Sequence, residues 1–171
     1  MNFRKIQMLF VLSALLLSTF AIAADQVTIV YPTKDKPLFS VVAPKDWELN
    51  PAEEEGGFFD LNGPSGAVLS FRAIAGSEKD LDNAMKEAGT FLGENYKNVK
   101  LGDAKSVKID GQPAIQLSGE GSDEDGNKVV FDMVWTAMDN GHIAELWFVA
   151  EPGDKEGIAE AQAILNSFKG E

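Results

Sequence analysis

The residues predict an α+β fold, a central antiparallel sheet with helices packed on it. Three observations carry this. Short apolar, β-rich runs are joined by turn signals at Asn62-Gly63-Pro64-Ser65-Gly66, Asp110-Gly111 and Asn140-Gly141. Two stretches, opened by Ser77 and Asp154, carry the three-to-four spacing of amphipathic helices. The order is strands, helix, strands, helix, the pattern of the α+β class.

The chain begins with Arg4 and Lys5, then an apolar run from Met8 through Leu17, then Ala21-Ile22-Ala23-Ala24. A basic start, a short apolar region and an A-x-A site describe a secretory signal peptide, residues 1–23. Cleavage after Ala23 puts small residues in both key positions, and cleavage after Ala24 is the near alternative. An uncleaved membrane anchor from Ile6 to Ala24 is disfavoured by that site and by the charged Asp25 behind it. With no cysteine in the chain, a lipid-anchored lipoprotein is excluded. The expected product is periplasmic, with no stable membrane insertion after cleavage, and residues 24–171 form one domain. Losing residues 1–23 removes Arg4 and Lys5 and no acid, so the net charge deepens from −12 to −14. Such a surface repels nucleic acid and anionic lipid, because phosphate binding needs Lys and Arg to displace counterions.

Val27 to Tyr31 is a short strand stopped by Pro32, and Phe39 to Ala43 is a second, ended by Pro44-Lys45-Asp46-Trp47. Trp47 is read as a plug over one edge of the core, in preference to a ligand-stacking ring. Glu53-Glu54-Glu55 is read as a solvated charge run. Phe58 to Leu61 and Ala67 to Ile74 make a hairpin with Leu69 and Phe71 on one face and Arg72 on the other. Its turn residue Ser65 lacks the G-x-S-x-G spacing of a nucleophile.

Ser77 caps the first helix, with Asp80 three positions on. Leu81, Ala84, Met85, Ala88, Leu92 and Tyr96 make its apolar stripe, and Gly89 and Gly93 leave it dependent on packing. Val99 to Ile109 is strand-like, interrupted at Gly102; Asp110-Gly111 turns the chain back into Gln112 to Gly119. Pro113 places this hairpin where a missing N–H does little damage, such as an edge. The last helix, Asp154 to Ser167, buries Ile158, Ala161, Leu165 and Phe168.

The centre of the sheet is the hairpin Val129 to Glu151. With Asn140-Gly141 as a two-residue turn, Asp139 faces His142. Trp135 then opposes Leu146, Met133 opposes Phe148 and Ala137 opposes Ala144, on one apolar face. The mixed face pairs Met138 with Ile143, Thr136 with Glu145, Val134 with Trp147 and Asp132 with Val149. Trp147 there is expected to be core; exposed, it would mark a partner site.

Signs of chemistry are few. Zinc and copper sites want Cys and His, and the chain has no Cys and one His. His142, beside a turn, is read as incidental and not as a catalytic base. The one metal-site candidate is Asp123, Asp125 and Asn127 in the segment Asp123-Glu124-Asp125-Gly126-Asn127, an oxygen-rich loop suited to weak Ca²⁺ binding. The plain reading of the same residues is a tight turn.

The stretch from Phe39-Ser40-Val41-Val42-Ala43 to Trp47, the Ile109-Asp110-Gly111-Gln112-Pro113-Ala114 hairpin, the long hairpin and the closing Ile164-Leu165-Asn166-Ser167-Phe168-Lys169 together resemble the PsbP-like group, particularly its bacterial periplasmic DcrB-like branch. The resemblance implies an αβα sandwich on a central antiparallel sheet. It also implies an accessory, assembly or adaptor protein, not an enzyme, that binds a partner protein or envelope complex. It transfers no functional residue, because the matched positions are turns, plugs and core. The alternative is a binder of a small ligand or divalent cation through the acidic loops.

Overall fold

The computed structural model describes residues 25–171 apart from 53 and 55, so the expected signal peptide lies outside the described residues, as do Glu53 and Glu55. Strands β1 (Gln26–Thr33) and β2 (Lys36–Pro44) form a hairpin, and β11 (Lys169–Gly170) adds to it in the order β1-β2-β11. The Tyr31-Pro32 peptide is cis; β1 continues through Pro32 with a register shift there, instead of stopping at it.

The larger sheet takes β3 (Glu48–Asn50), β4 (Phe59–Asn62), β5 (Val68–Ala75), β6 (Lys97–Leu101), β7 (Lys105–Ile109), β8 (Gln112–Ser122), β9 (Lys128–Ala137) and β10 (His142–Ala150). Its order is β3-β4-β5-β10-β9-β8-β6, with β7 also beside β8, and every pairing is antiparallel. The β9–β10 hairpin is central, as the sequence predicts. Pro113 pairs only with Lys108 of β7, because β9 joins β8 from Ala114 onward, so its missing N–H costs no ladder bond on that side.

The hairpin's register is one residue away from the expected one. Ala137 pairs with Ile143, Trp135 with Glu145, Val134 with Leu146 and Met133 with Trp147. The turn holds three residues: Met138 N–H donates to the His142 carbonyl at 2.9 Å, and Gly141 N–H donates to the Met138 carbonyl at 3.1 Å. Gly141 has φ +80°, the left-handed residue that closes a three-residue loop. Asp110-Gly111 is a true two-residue turn, with φ of 48° and 78° and Ile109 paired to Gln112.

Two things separate these turns. Asn140 is held by neighbours far away in sequence, donating from Nδ2 to the carbonyls of Leu38 and Glu171, both at 3.0 Å. Gly141 also packs against Gly76, where an added Cβ would collide with the Gly141 carbonyl oxygen. Because both faces of the hairpin are buried, apolar patterning does not distinguish the two registers.

The shift redistributes side chains. Val134, Met138, Ala144, Leu146, Phe148 and Ala150 share one core with the small sheet and with α2 (Lys155–Asn166). Phe131, Met133, Trp135, Ile143 and Trp147 share the other with α1 (Glu78–Asn95). Helices therefore lie on both faces of the large sheet, one of them accompanied by the small sheet. The first core is rich in stacked rings, with Tyr31 4.8 Å from Phe39 and Phe59 5.1 Å from Phe71. Each such ring contributes roughly 1.5–3 kcal/mol by leaving water.

Local signals hold up at both helices. Ser77 caps α1, accepting from Asp80 N–H at 3.2 Å, and Asp154 caps α2, accepting from Gly157 N–H at 2.9 Å. The buried line of α1 is Ala84, Ala88 and Leu92. In α2 it is Gly157, Ala161 and Ile164, one step round from the expected stripe, with Ile158 and Leu165 half-buried. Trp47 is buried as the expected plug, its indole N–H donating to Glu160 at 3.0 Å.

Candidate functional site

On the face turned to α1, alternate residues of adjacent strands line up across the sheet. Strand β10 contributes Glu145, Trp147 and Val149, and β5 sets Arg72, Ser70 and Val68 directly opposite them. Strand β4 places Asp60 opposite Ser70. Phe58 precedes β4, α1 supplies Glu87, Ala88 and Phe91, and Tyr96 ends the helix. These residues enclose a cleft of about 510 Å³. Ser70 and Ala88 explain why it is open: two small side chains stand where larger ones would have met between sheet and helix.

Its floor is an ion pair between a buried carboxylate and a half-buried guanidinium. Glu145 has a side chain 1% exposed, and its Oε2 accepts from Arg72 Nε at 2.6 Å. Glu145 Oε1 accepts from the Trp147 indole N–H at 2.8 Å, so both oxygens are engaged. Arg72 also donates from Nη2 to Glu87, whose side chain is exposed, at 3.1 Å. Its guanidinium carbon lies 4.6 Å from the centroid of Phe58, a cation–π contact. Burial works against the Arg72 charge, but the charge and hydrogen bond of Glu145, with Glu87 behind them, overcome this and raise its pKa.

The walls are aromatic. Trp147 meets Phe58 edge-on at 6.0 Å and Phe91 edge-on at 5.4 Å, and Phe91 meets Tyr96 at 6.4 Å. Phe91 is 46% exposed, while Trp147 is buried as expected. Burial, with the Asp123 charge, raises the Tyr96 hydroxyl pKa, so the group is neutral at ordinary pH. Each Glu145 oxygen holds a donor, so the floor is fixed in place. The arrangement is suited to recognition: an apolar body between rings, and a polar group at a fixed place.

The site is hidden from the sequence because Arg72 meets Glu145 through the pairing of β10 with β5, strands far apart in the chain, which no reading of the β9–β10 hairpin supplies. A signal exists nonetheless. Arg72 and Glu145 are lone charges of opposite sign inside strands otherwise fit for burial, and such charges need each other.

The sequence-derived metal candidates lie elsewhere, in the loop between β8 and β9. Asp123 accepts from Asn127 N–H at 2.8 Å and from Asn127 Nδ2 at 2.9 Å, and Gly126 turns the loop at φ +88°. The Asn127 side-chain hydrogen bond, joined by backbone donors from Asn127, Asp125 and Gly126, lowers the Asp123 pKa. Asp125 is exposed. Among the described residues no three His, Cys, Asp or Glu side chains gather in one metal-holding group, a grouping that leaves Asn127 out. His142 does not face Asp139; it caps the three-residue loop, with Nδ1 3.3 Å from the Asn140 carbonyl.

No family model matches the sequence, and no curated protein matches it. Solved structures do. Cyanobacterial PsbP from Synechocystis sp. PCC 6803 superposes with a TM-score of 0.61 at 14% identity, covering 86% of this chain and 94% of that one. The Ran-binding protein Mog1p of Saccharomyces cerevisiae superposes with a TM-score of 0.55 at 8% identity, covering 86% and 96%. A protein of Bacteroides thetaiotaomicron superposes with a TM-score of 0.54 at 18% identity; 78% of this chain is covered, and it spans 45% of that protein's length. The chain shares the PsbP-like α+β fold. Among the described residues no helix is long and apolar enough to cross a membrane.

Proposed function

We propose that this chain is a non-catalytic accessory protein of the exported, periplasmic DcrB-like branch, and that it binds a partner protein through the cleft beside α1. The observation that carries the reading is the state of the cleft's charges. Glu145 and Arg72 are bound to each other and to Trp147 and Glu87, so they shape and hold a surface. Phe91 at the rim is a large, half-exposed ring beside a pocket, the type of anchor on which interfaces concentrate their affinity. A Ran-binding protein with this fold, Mog1p, supports a partner-binding use of the scaffold. The signal-peptide pattern of residues 1–23 supports export, and the acidic surface disfavours nucleic acid. A small-ligand reading also has an observation in its favour, a cleft volume within the range of ordinary ligand sites.

The test is a photo-crosslinking residue at position 91 in intact cells, with a control at Lys105 on the exposed β7. A defined protein captured from position 91 and not from 105 is expected. Equal capture from both, or none from either, refutes the reading. Export is tested by fractionating cells that express the full chain or the chain without residues 1–23; equal recovery of both from the periplasm would refute it.

A further inference from the structure

We infer that the cleft beside α1 receives a cationic side chain, Lys or Arg, set among apolar residues of the partner protein. This rests on the partner-binding reading and adds the chemistry of what is bound. Four charged side chains line the cleft: Asp60, Arg72, Glu87 and Glu145. The one cation is already taken, with Arg72 Nε 2.6 Å from Glu145 and its Nη2 3.1 Å from Glu87. A carboxylate entering here would meet three others and no unpaired cation. A neutral group would leave their field unanswered.

Asp60 points the same way. It is half-buried, lines the cleft, and its carboxylate has no hydrogen-bond or ion-pair partner among the described residues. Asp60 stands between Asn50 and Ser70 of the adjacent strands, neither of which donates to it, so this half-buried carboxylate is open to a donor from outside. The walls favour the same sign, since ring faces attract cations, and Phe58 already takes the Arg72 guanidinium at 4.6 Å. Val68, Ala88 and Val149 offer an apolar bed for the methylene stem of a Lys or Arg whose head reaches toward Asp60 and Glu87. The net charge of −12 draws a basic partner segment from a distance as well.

The test uses protein purified from cells expressing the full chain and three peptides: acetyl-Leu-Lys-Leu-amide, its norleucine counterpart and its glutamate counterpart. The readout is the NMR shift of the Trp147 indole N–H. The lysine peptide is expected to saturate the shift and to bind about fivefold or more tightly than the norleucine peptide, which has the same stem and no charge. The glutamate peptide is expected to leave the resonance in place. The lysine preference should fall in Asp60→Asn, which removes no hydrogen bond of the fold, and on raising salt about tenfold. Equal binding of lysine and norleucine peptides, tighter binding of the glutamate peptide, or no binding by any of them overturns the inference. Benzyltrimethylammonium binding as tightly as the lysine peptide also overturns it, by making a free small cation the occupant. The crosslink at position 91 separates the two readings. Specific capture without lysine preference leaves partner binding standing and removes the cation; lysine preference without capture does the reverse.

Discussion

Replacing Arg72 by Met should be among the most damaging changes outside the apolar core. Met keeps the arginine's stem volume and deletes its charge, so the loss falls on Glu145, whose side chain is 1% exposed. Water cannot replace the missing partner, and removing one half of a buried ion pair typically costs about 3–5 kcal/mol. The Trp147 N–H remains on Glu145 Oε1 and softens the loss, so we expect about 3 kcal/mol. Glu145→Gln should cost less, about 1–2 kcal/mol, because the amide oxygen still accepts from Trp147 and Arg72 keeps Glu87. In the double variant no charge is stranded, and the total should fall below the sum of the singles by about 2 kcal/mol. Urea denaturation of the four proteins, with slopes compared to confirm two-state unfolding, measures this cycle. If Arg72→Met costs no more than about 1 kcal/mol, the pair is screened by water, and the view of the cleft floor as dry and pre-organised fails.

Three further outcomes follow from the structure. Gly141→Ala meets open space and suffers only its positive φ, about 1–2 kcal/mol, whereas Gly76→Ala drives a Cβ into the Gly141 carbonyl and should cost more; thermal melts showing the opposite order would reject the three-residue loop. Leu92→Ala empties a site 1% exposed beneath a helix weakened by Gly89 and Gly93, so a loss of about 2–5 kcal/mol is expected in the same melts. Asp123 has a depressed folded pKa, so the stability it contributes is fully present above its unfolded value of 3.8 and is lost as pH falls through the lower folded value. An NMR titration of the Asn127 amide should therefore show a midpoint below 3.8; in Asn127→Ala, the Asp123 carboxyl carbon should titrate at a higher pH than in the parent protein, and an unmoved midpoint would dismiss the hydrogen bond as the cause.

What the amino-acid sequence determined by itself was set by near neighbours along the chain, although the stop expected at Pro32 is not one of these, since β1 runs on to Thr33. The caps Ser77 and Asp154 act within one turn of helix, and Asp110-Gly111 makes its two-residue turn from its own backbone preferences. Alternation placed Leu69 and Phe71 opposite to Arg72, and the order of elements carried the α+β class. Tertiary structure decided the central hairpin. Asn140 and Gly141 would suit a two-residue turn, but Leu38, Glu171 and Gly76, distant in sequence, hold them in a three-residue loop. Apolar pattern offered no correction, because a strand buried on both faces loses little burial when its register slips by one. That single residue decides whether Glu145 and Trp147 share a face with Asp132 and Thr136 or with Met133 and Trp135, while the separate pairing of β10 with β5 sets Arg72 beside Glu145. The cleft exists because register is settled by contacts across the whole fold, and a buried charge is tolerable only where that register brings it an opposite one.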